Sequence, residues 1–401
     1  MAPDPTAQPA AGPLSGIRVL ELGHIAAGPF AGSLFADLGA DVVKVERPGV
    51  GDGMRGWPPL TANEAGAEFS ENFASLNRNK RSLVIDLEDE ADVERLRALC
   101  ARADVLVENF RPGALQRAGL GYSDLSKANP ALVYLSISGY GQTGPYAEKG
   151  AFDVTVQALS GVMSVTGEDE GPPVKCGVPV GDFCAGLYGA FTVLAILLER
   201  QRTGRGAHID CSMLGSLLGI SALQTSEYFG TGTTPRALGS AHPRNAPYQA
   251  FQARDAYFAM AAGNDRLWAE VCSTVGQPEV VHDGRFSTQL KRASNQEELL
   301  ALLAPIFAGE DVAYWLRELD ARGVPCAPIN SYADVLSDPQ VEHLGHIQPL
   351  ELPNGVQTRT VTFPVRISGQ SPGVYSAPPE LGQHTDAVFA EWLSEGEDPT
   401  V

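Results

Sequence analysis

Metal-ligand spacing is missing from this chain. Its six cysteines (Cys100, Cys176, Cys184, Cys211, Cys272 and Cys326) stand far apart with no C-x-x-C pair, which excludes a zinc ribbon and a disulfide framework alike. His343 and His346 lack a third ligand nearby, so no metal site is expected. Basic residues are scarce: 29 Lys and Arg against 48 Asp and Glu give a net charge of −19. A surface this acidic repels phosphate backbones and excludes nucleic acid as a partner. An anionic small ligand would need a local cluster of Arg and Lys. No apolar run reaches membrane length; the longest, Ala185 to Leu198, is short and interrupted by glycine, so no membrane partner is expected. The opening MAPDPTAQPAAGP has neither the basic start nor the apolar core of a signal peptide. Residues 1–12 read as a disordered tail, and a cytoplasmic enzyme is the expectation.

The 401 residues, 44% apolar, suffice for a large core and roughly two to three domains. GIRVLEL reads as a strand, GPFAGSLFADLG as a helix and ADVVKVERP as the next strand. RSLVIDL, DEADVERLRALCARA, DVLVENF and ALVYLSISGYG repeat the alternation. That pattern predicts a Rossmann-like parallel sheet in an α/β domain, with ligands bound beyond the carboxyl ends of the strands. From about residue 230 to 325 the pattern becomes α+β: a hairpin in YQAFQARDAYFAMAAG, then three helical stretches. The predicted domains are a large one over 13–225, a small α+β one over 226–328, and a return to the large domain over 329–401.

Two familiar loops are missing. The first turn, GHIAAGPFAG, spaces Gly23, Gly28 and Gly32 too widely for G-x-G-x-x-G, although Glu46 closes the second strand where a dinucleotide fold would hold a ribose. No G-x-S-x-G elbow is present. What is present is one carboxylate, Asp182, in GDFCAGLYGA at the mouth of a long apolar helix. It suits a helix cap, and it suits a nucleophile set among glycines. Cys184, two residues on, reads as a buried helix thiol. Arg47, Lys80, Arg81, Arg111 and Arg117 fall at strand ends, where together they could bind the phosphates of a nucleotide-like ligand.

LSGIRVLEL, GADVVKVERPGVGD, NRNKRSLVIDL, DVLVENFRPGAL, SGYGQTGPY, GDFCAGLYGA, RTGRGAHIDCSML and LGQHT occur in this order. Together they resemble the class III CoA-transferase family, whose relatives include formyl-CoA transferase and alpha-methylacyl-CoA racemase. The resemblance runs from about Leu14 to the final helix. It implies a homodimer of interlocked protomers, with coenzyme A and acyl-CoA as substrates and no permanently bound cofactor. It implies Asp182 as the catalytic nucleophile. It also implies CoA contacts at Ile25, Ala26, Ala27, Arg47, Ile85, Leu87, Glu88, Asn109, Phe110, Arg111 and Arg117. Asp153, which takes an acidic position of the family before the nucleophile, and Lys149, one place off a basic one, complete the CoA-binding set that the resemblance implies.

The family divides by chemistry. A racemase needs an acid and a base flanking the carbon next to the thioester. Its branch supplies a His-Asp pair where this chain has Phe152-Asp153, and phenylalanine carries no proton. The racemase is therefore the alternative, a pure binding module a further one, and a CoA-transferase the expected activity. An ordinary aspartate is ionised at neutral pH, so the sequence predicts a nucleophile needing no activating base, with backbone N–H groups around Gly181 or in the small-domain loop as oxyanion donors. LGSAHPRNAPYQAF resembles the succinyl-CoA–glutarate branch, whose relatives act on dicarboxylates. His242, Arg244 and Arg55 are the candidates for binding the acid.

Overall fold

The computed structural model describes residues 12–369 and 371–394. The predicted tail, apart from Gly12, lies outside them. The described residues form two compact units, one drawn from 12–162, 176–226 and 339–394, the other from 163–175 and 227–338.

In the first unit six strands form one sheet: β1 (Arg18–Glu21), β2 (Asp41–Glu46), β3 (Arg81–Val84), β4 (Val105–Glu108), β5 (Val133–Ser138) and β6 (His208–Ser212). Their spatial order is β3-β2-β1-β4-β5-β6, and every neighbouring pair is parallel. The order reverses between β1 and β4, which opens a crevice at their carboxyl ends. Successive side chains serve opposite faces: Val19 enters one core and Leu20 the other, so both faces of the strands are apolar.

Helix α1 (Ala27–Asp37) and the long α4 (Val180–Thr203) cover the first face through Ala31, Phe35, Ala185 and Val193. Between them in sequence come α2 (Glu90–Cys100) and α3 (Asp153–Leu159). The second face is covered by α2 and the closing helix Thr385–Ser394, which brings Val388 and Trp392 under the sheet. At Gly186 a Cβ would lie 2.8 Å from the Phe30 ring and 3.1 Å from the Ala27 carbonyl. Only glycine lets α4 approach α1 this closely.

The 24 residues of α4 exceed the apolar run seen in the sequence, and by length and composition the helix is long and apolar enough to cross a bilayer. Its small residues Gly181, Ala185, Gly186, Gly189 and Ala190 are instead buried within the fold. The length argument from the sequence is thus corrected; packing, not shortness, accounts for this helix.

The second unit holds an antiparallel sheet in the order β9-β8-β7, from β7 (Tyr248–Gln252), β8 (Tyr257–Ala261) and β9 (Cys326–Pro328). Helices carrying Trp268, Phe307 and Trp315 complete its core.

Candidate active site

A cavity of about 1000 Å³ opens at the carboxyl ends of β1 to β5, at the point where strand order reverses. It is lined by Ile25 after β1, Arg47 after β2, Ile85, Leu87 and Glu88 after β3, and Asn109, Phe110, Arg111 and Arg117 after β4. Lys149 joins them from the segment after β5, its Nζ 4.9 Å from the Tyr146 ring centre and 5.8 Å from that of Tyr140. Ala26 and Ala27 are buried behind this wall at the start of α1. Phe152, 75% exposed, closes one edge.

Four of the lining residues, Arg47, Arg111, Arg117 and Lys149, are cations, and none has a carboxylate partner among the described residues. The acidic lining is partly compensated from within. Glu46 receives Arg55 bidentately at 2.8 and 2.7 Å, and Asp52 lies 2.9 Å from Lys44. Glu46 also accepts from Ser82 Oγ and from the Asp52 N–H. It is therefore committed to the protein and not to a ribose.

Several residues singled out in the sequence lie elsewhere. Lys80 is buried against Glu21, Asn77 and the Pro29 carbonyl, and Arg81 pairs with Asp41 and Glu391. Lys80 precedes β3 and Arg81 opens it, at the end of the strand opposite the crevice, so neither serves as a phosphate ligand there. Arg55 has its carboxylate in Glu46 and stacks over Phe73, which assigns it to the protein's own charge. In the second unit, His242 Nδ1 accepts from the N–H groups of Arg244 and Asn245, and Arg244 pairs with Glu227 at 2.8 Å. Among the described residues no cluster of three metal-ligating side chains exists; His343 sits on the short helix Pro339–Leu344.

Asp182 lies inside the first turn of α4, whose N-cap residue, Pro179, offers no side-chain cap. The cap reading is not met by a hydrogen bond: the Asp182 carboxylate accepts from no main-chain N–H among the described residues, and that of Gly181 is taken by another side chain. The capping work falls to Asp153. Its Oδ1 accepts from the Gly181 N–H at 2.8 Å and its Oδ2 from Gln157 Nε2 at 2.5 Å. Gln157, wholly buried, accepts in turn from the Cys176 N–H at 2.9 Å. This chain ties α3 to the entry of α4 and occupies the Gly181 N–H, removing it as an oxyanion donor. Asp153 does not line the cavity, but the preceding residue, Phe152, does.

Burial, and then the charge of Asp153, push the Asp182 carboxyl up to about 7. The expectation of an ordinary aspartate pKa is corrected: desolvation disfavours the anion. Cys184, half-buried, has its thiol pushed up by burial, Asp153 and Cys176, so it lacks the electropositive setting of a reactive thiolate.

Sequence reasoning passed over Glu21, Lys44 and Asp52, which form a buried ionic chain that reaches the cavity wall at Asp52. The signal was a charged residue inside an apolar strand, Lys44 in DVVKVE and Glu21 in RVLE.

The chain matches CoA-transferase family III over residues 14–385. It is 40% identical over 381 residues to a succinyl-CoA:glutarate CoA-transferase of Mus musculus, covering 95% of this chain and 86% of the relative. It is 39% identical to a succinate–glutarate CoA-transferase of Agrobacterium fabrum, with 94% and 95% covered. The crystal structure of a CAIB/BAIF family protein from Brucella suis superposes with a TM-score of 0.84 at 40% identity, covering 95% of this chain and 99% of that one. Eight ordered sequence blocks, a cation-lined cavity at the strand reversal and these likenesses have one explanation: the chain belongs to CoA-transferase family III.

Proposed function

We propose that this enzyme moves coenzyme A from an acyl-CoA donor to a dicarboxylic acid, with Asp182 as nucleophile. The observation that carries the reading is the set of four cations without carboxylate partners on one cavity, in a chain of net charge −19. Coenzyme A presents a pyrophosphate and a 3′-phosphate, the anions that such a set would neutralise. The printed names of the relatives support succinyl-CoA as donor and glutarate as acceptor.

The chemistry needs no proton. Asp182 attacks the thioester carbon, the C–S bond breaks, and the thiolate of CoA leaves a mixed anhydride behind. The thiolate attacks the aspartyl carbonyl and expels the donor acid as its carboxylate, giving an aspartyl-CoA thioester. The acceptor carboxylate attacks that thioester and releases the thiolate again. Attack of the thiolate on the acceptor's acyl carbon forms the new acyl-CoA and frees Asp182. Racemisation is disfavoured because Phe152 stands where a proton carrier would be required.

The active form is a homodimer in this reading. In its support, Leu187, Phe191, Leu198, Leu218, Ile220 and Leu223 leave an exposed apolar face on α4 and the helices after β6, with Phe191 at 72% and Leu198 at 66% exposure.

The test is a kinetic screen of succinyl-CoA and other donors against glutarate, itaconate, mesaconate, malate and monocarboxylate controls. New acyl-CoA formed with a dicarboxylate is the expected result. Exchange of the α-proton of acyl-CoA with deuterated water, and no transfer to any acid, would overturn the reading.

A further inference from the structure

Ile25, on the cavity wall, has φ of 65°. For a β-branched residue this left-handed backbone is a genuine outlier, persisting only where its surroundings impose it. What imposes it is visible. The Ile25 N–H donates to both carboxylate oxygens of Asp52, each at 3.1 Å. Lys44 binds Asp52 at 2.9 Å, the Gly23 carbonyl at 2.7 Å and Glu21 at 3.0 Å. The other oxygen of Glu21 pairs with Lys80 at 2.7 Å, and Lys80 holds the Pro29 carbonyl at 2.8 Å. The side chain of Asn109 brackets the His24 peptide from both sides, accepting from its N–H and donating to its carbonyl at 2.9 Å each. At Gly32 a Cβ would come within 1.9 Å of Glu21 Oε2, so that glycine gives the buried carboxylate its space.

Glu21, Lys44, Asp52 and Lys80 are all buried and sum to zero charge. A buried ionic chain of this kind is a poor source of stability, because desolvation offsets its Coulomb gain. Each cation in it, and Asp52, ends on a main-chain group of the turn between Gly23 and Pro29. Burial alone would raise the Asp52 carboxyl, but Lys44 and the N–H groups of Met54 and Ile25 outweigh it and hold the group below its usual range. It is a fixed anion.

Resting on the cavity being the CoA site, we infer that Asp52 is a positioning residue for CoA binding: backed by Lys44, it holds Ile25 left-handed, so that the 23–27 turn is formed before the ligand arrives. Asn at position 52 keeps the shape but offers one acceptor oxygen where the carboxylate offered two. The turn then relaxes in the free protein, and CoA has to reform it.

The test is a double-mutant cycle read by calorimetry with CoA and by steady-state kinetics. Asp52→Asn is expected to raise the Kd for CoA about tenfold, equivalent to about 1.4 kcal/mol, with KM for acyl-CoA following and kcat nearly unmoved. Relative to Ile25→Gly, the Ile25→Gly/Asp52→Asn double variant should lose less than about threefold, since glycine adopts this backbone without strain. An equal loss in both backgrounds means that Asp52 acts on the ligand or on the whole fold, and the inference fails; an unchanged Kd for Asp52→Asn also overturns it. If wild-type protein binds no CoA, the cavity reading itself fails, a result distinct from the other two. Should Asp52→Asn not fold, amide exchange at Ile25 in wild-type protein decides. Strong protection without CoA supports a preformed turn, and protection only after CoA is added refutes it.

Discussion

Replacing Asp153 by asparagine should move the acid limb of the enzyme's pH profile. Asp182 must be an anion to attack, yet its carboxyl is pushed from the ordinary 3.8 to about 7, first by burial and then by Asp153. The shift corresponds to roughly 4 kcal/mol between the two protonation states, at about 1.36 kcal/mol per unit. Burial is the larger cause, so the share of Asp153 is at most about half, or about 1.5 pH units. In wild type, kcat/KM for the donor should fall tenfold per pH unit below about 7, to roughly a tenth of its plateau one unit lower. Asparagine at 153 keeps an acceptor for the Gly181 N–H while removing the charge. Its acid limb should lie at lower pH, though still above that of an exposed aspartate. The substrate's own phosphate ionisation is common to both enzymes and cancels in the comparison. Stopped or continuous assays of acyl-CoA formation between pH 5 and 9 suffice. A wild-type limb near pH 4, or identical limbs in the two enzymes, refutes the reasoning.

The same burial has a stability consequence. A carboxyl raised in the folded state stabilises below its unfolded pKa and loses that contribution as pH rises through the folded value. Asp182→Asn should therefore gain on wild type by about 2 to 3 kcal/mol between pH 5 and 8, read from denaturant midpoints, while losing nearly all transfer and keeping CoA binding. Arg47→Ala and Arg117→Ala should each weaken CoA binding about 10- to 100-fold, as the loss of a charge-assisted bond implies, and calorimetry that finds both unchanged would remove the phosphates from this cavity. Phe191→Asp, on the exposed face of α4, should shift sedimentation from dimer to monomer or aggregate, whereas an unaltered dimer would mean that the protomers meet elsewhere.

The parallel sheet was legible because its strands are apolar on both faces and separated by helices with ordinary signals, such as the Asp89 cap of α2. The YQAFQARDAYFAMAAG alternation likewise announced the hairpin of β7 with β8. Most of the expected CoA contacts share one cavity because family blocks fall just after strands. The state of Asp182 was not legible. Its pKa depends on Asp153, 29 positions earlier in sequence, and on burial that only packing creates. Lys80 misled for a similar reason, since a lysine beside a strand looks alike at either end. The ionic chain under the turn was hidden by distance too, joining Glu21, Lys44, Asp52 and Lys80 from four segments.

The closing helix has a consequence for how the protein is born. Trp392 donates its indole N–H to Asp41, 351 positions earlier, and Arg81 reaches Glu391 across 310. The last strand of the sheet ends at Ser212, about 180 residues before that tryptophan. At about 5–20 residues per second, a ribosome needs roughly 10 to 40 s to cover that interval. Throughout it the nascent sheet has one face supplied with its helices and the other, with Leu83 and Leu106, short of part of its cover. A chain stopped before residue 385 lacks Val388, Phe389 and Trp392, the closing helix's share of that core.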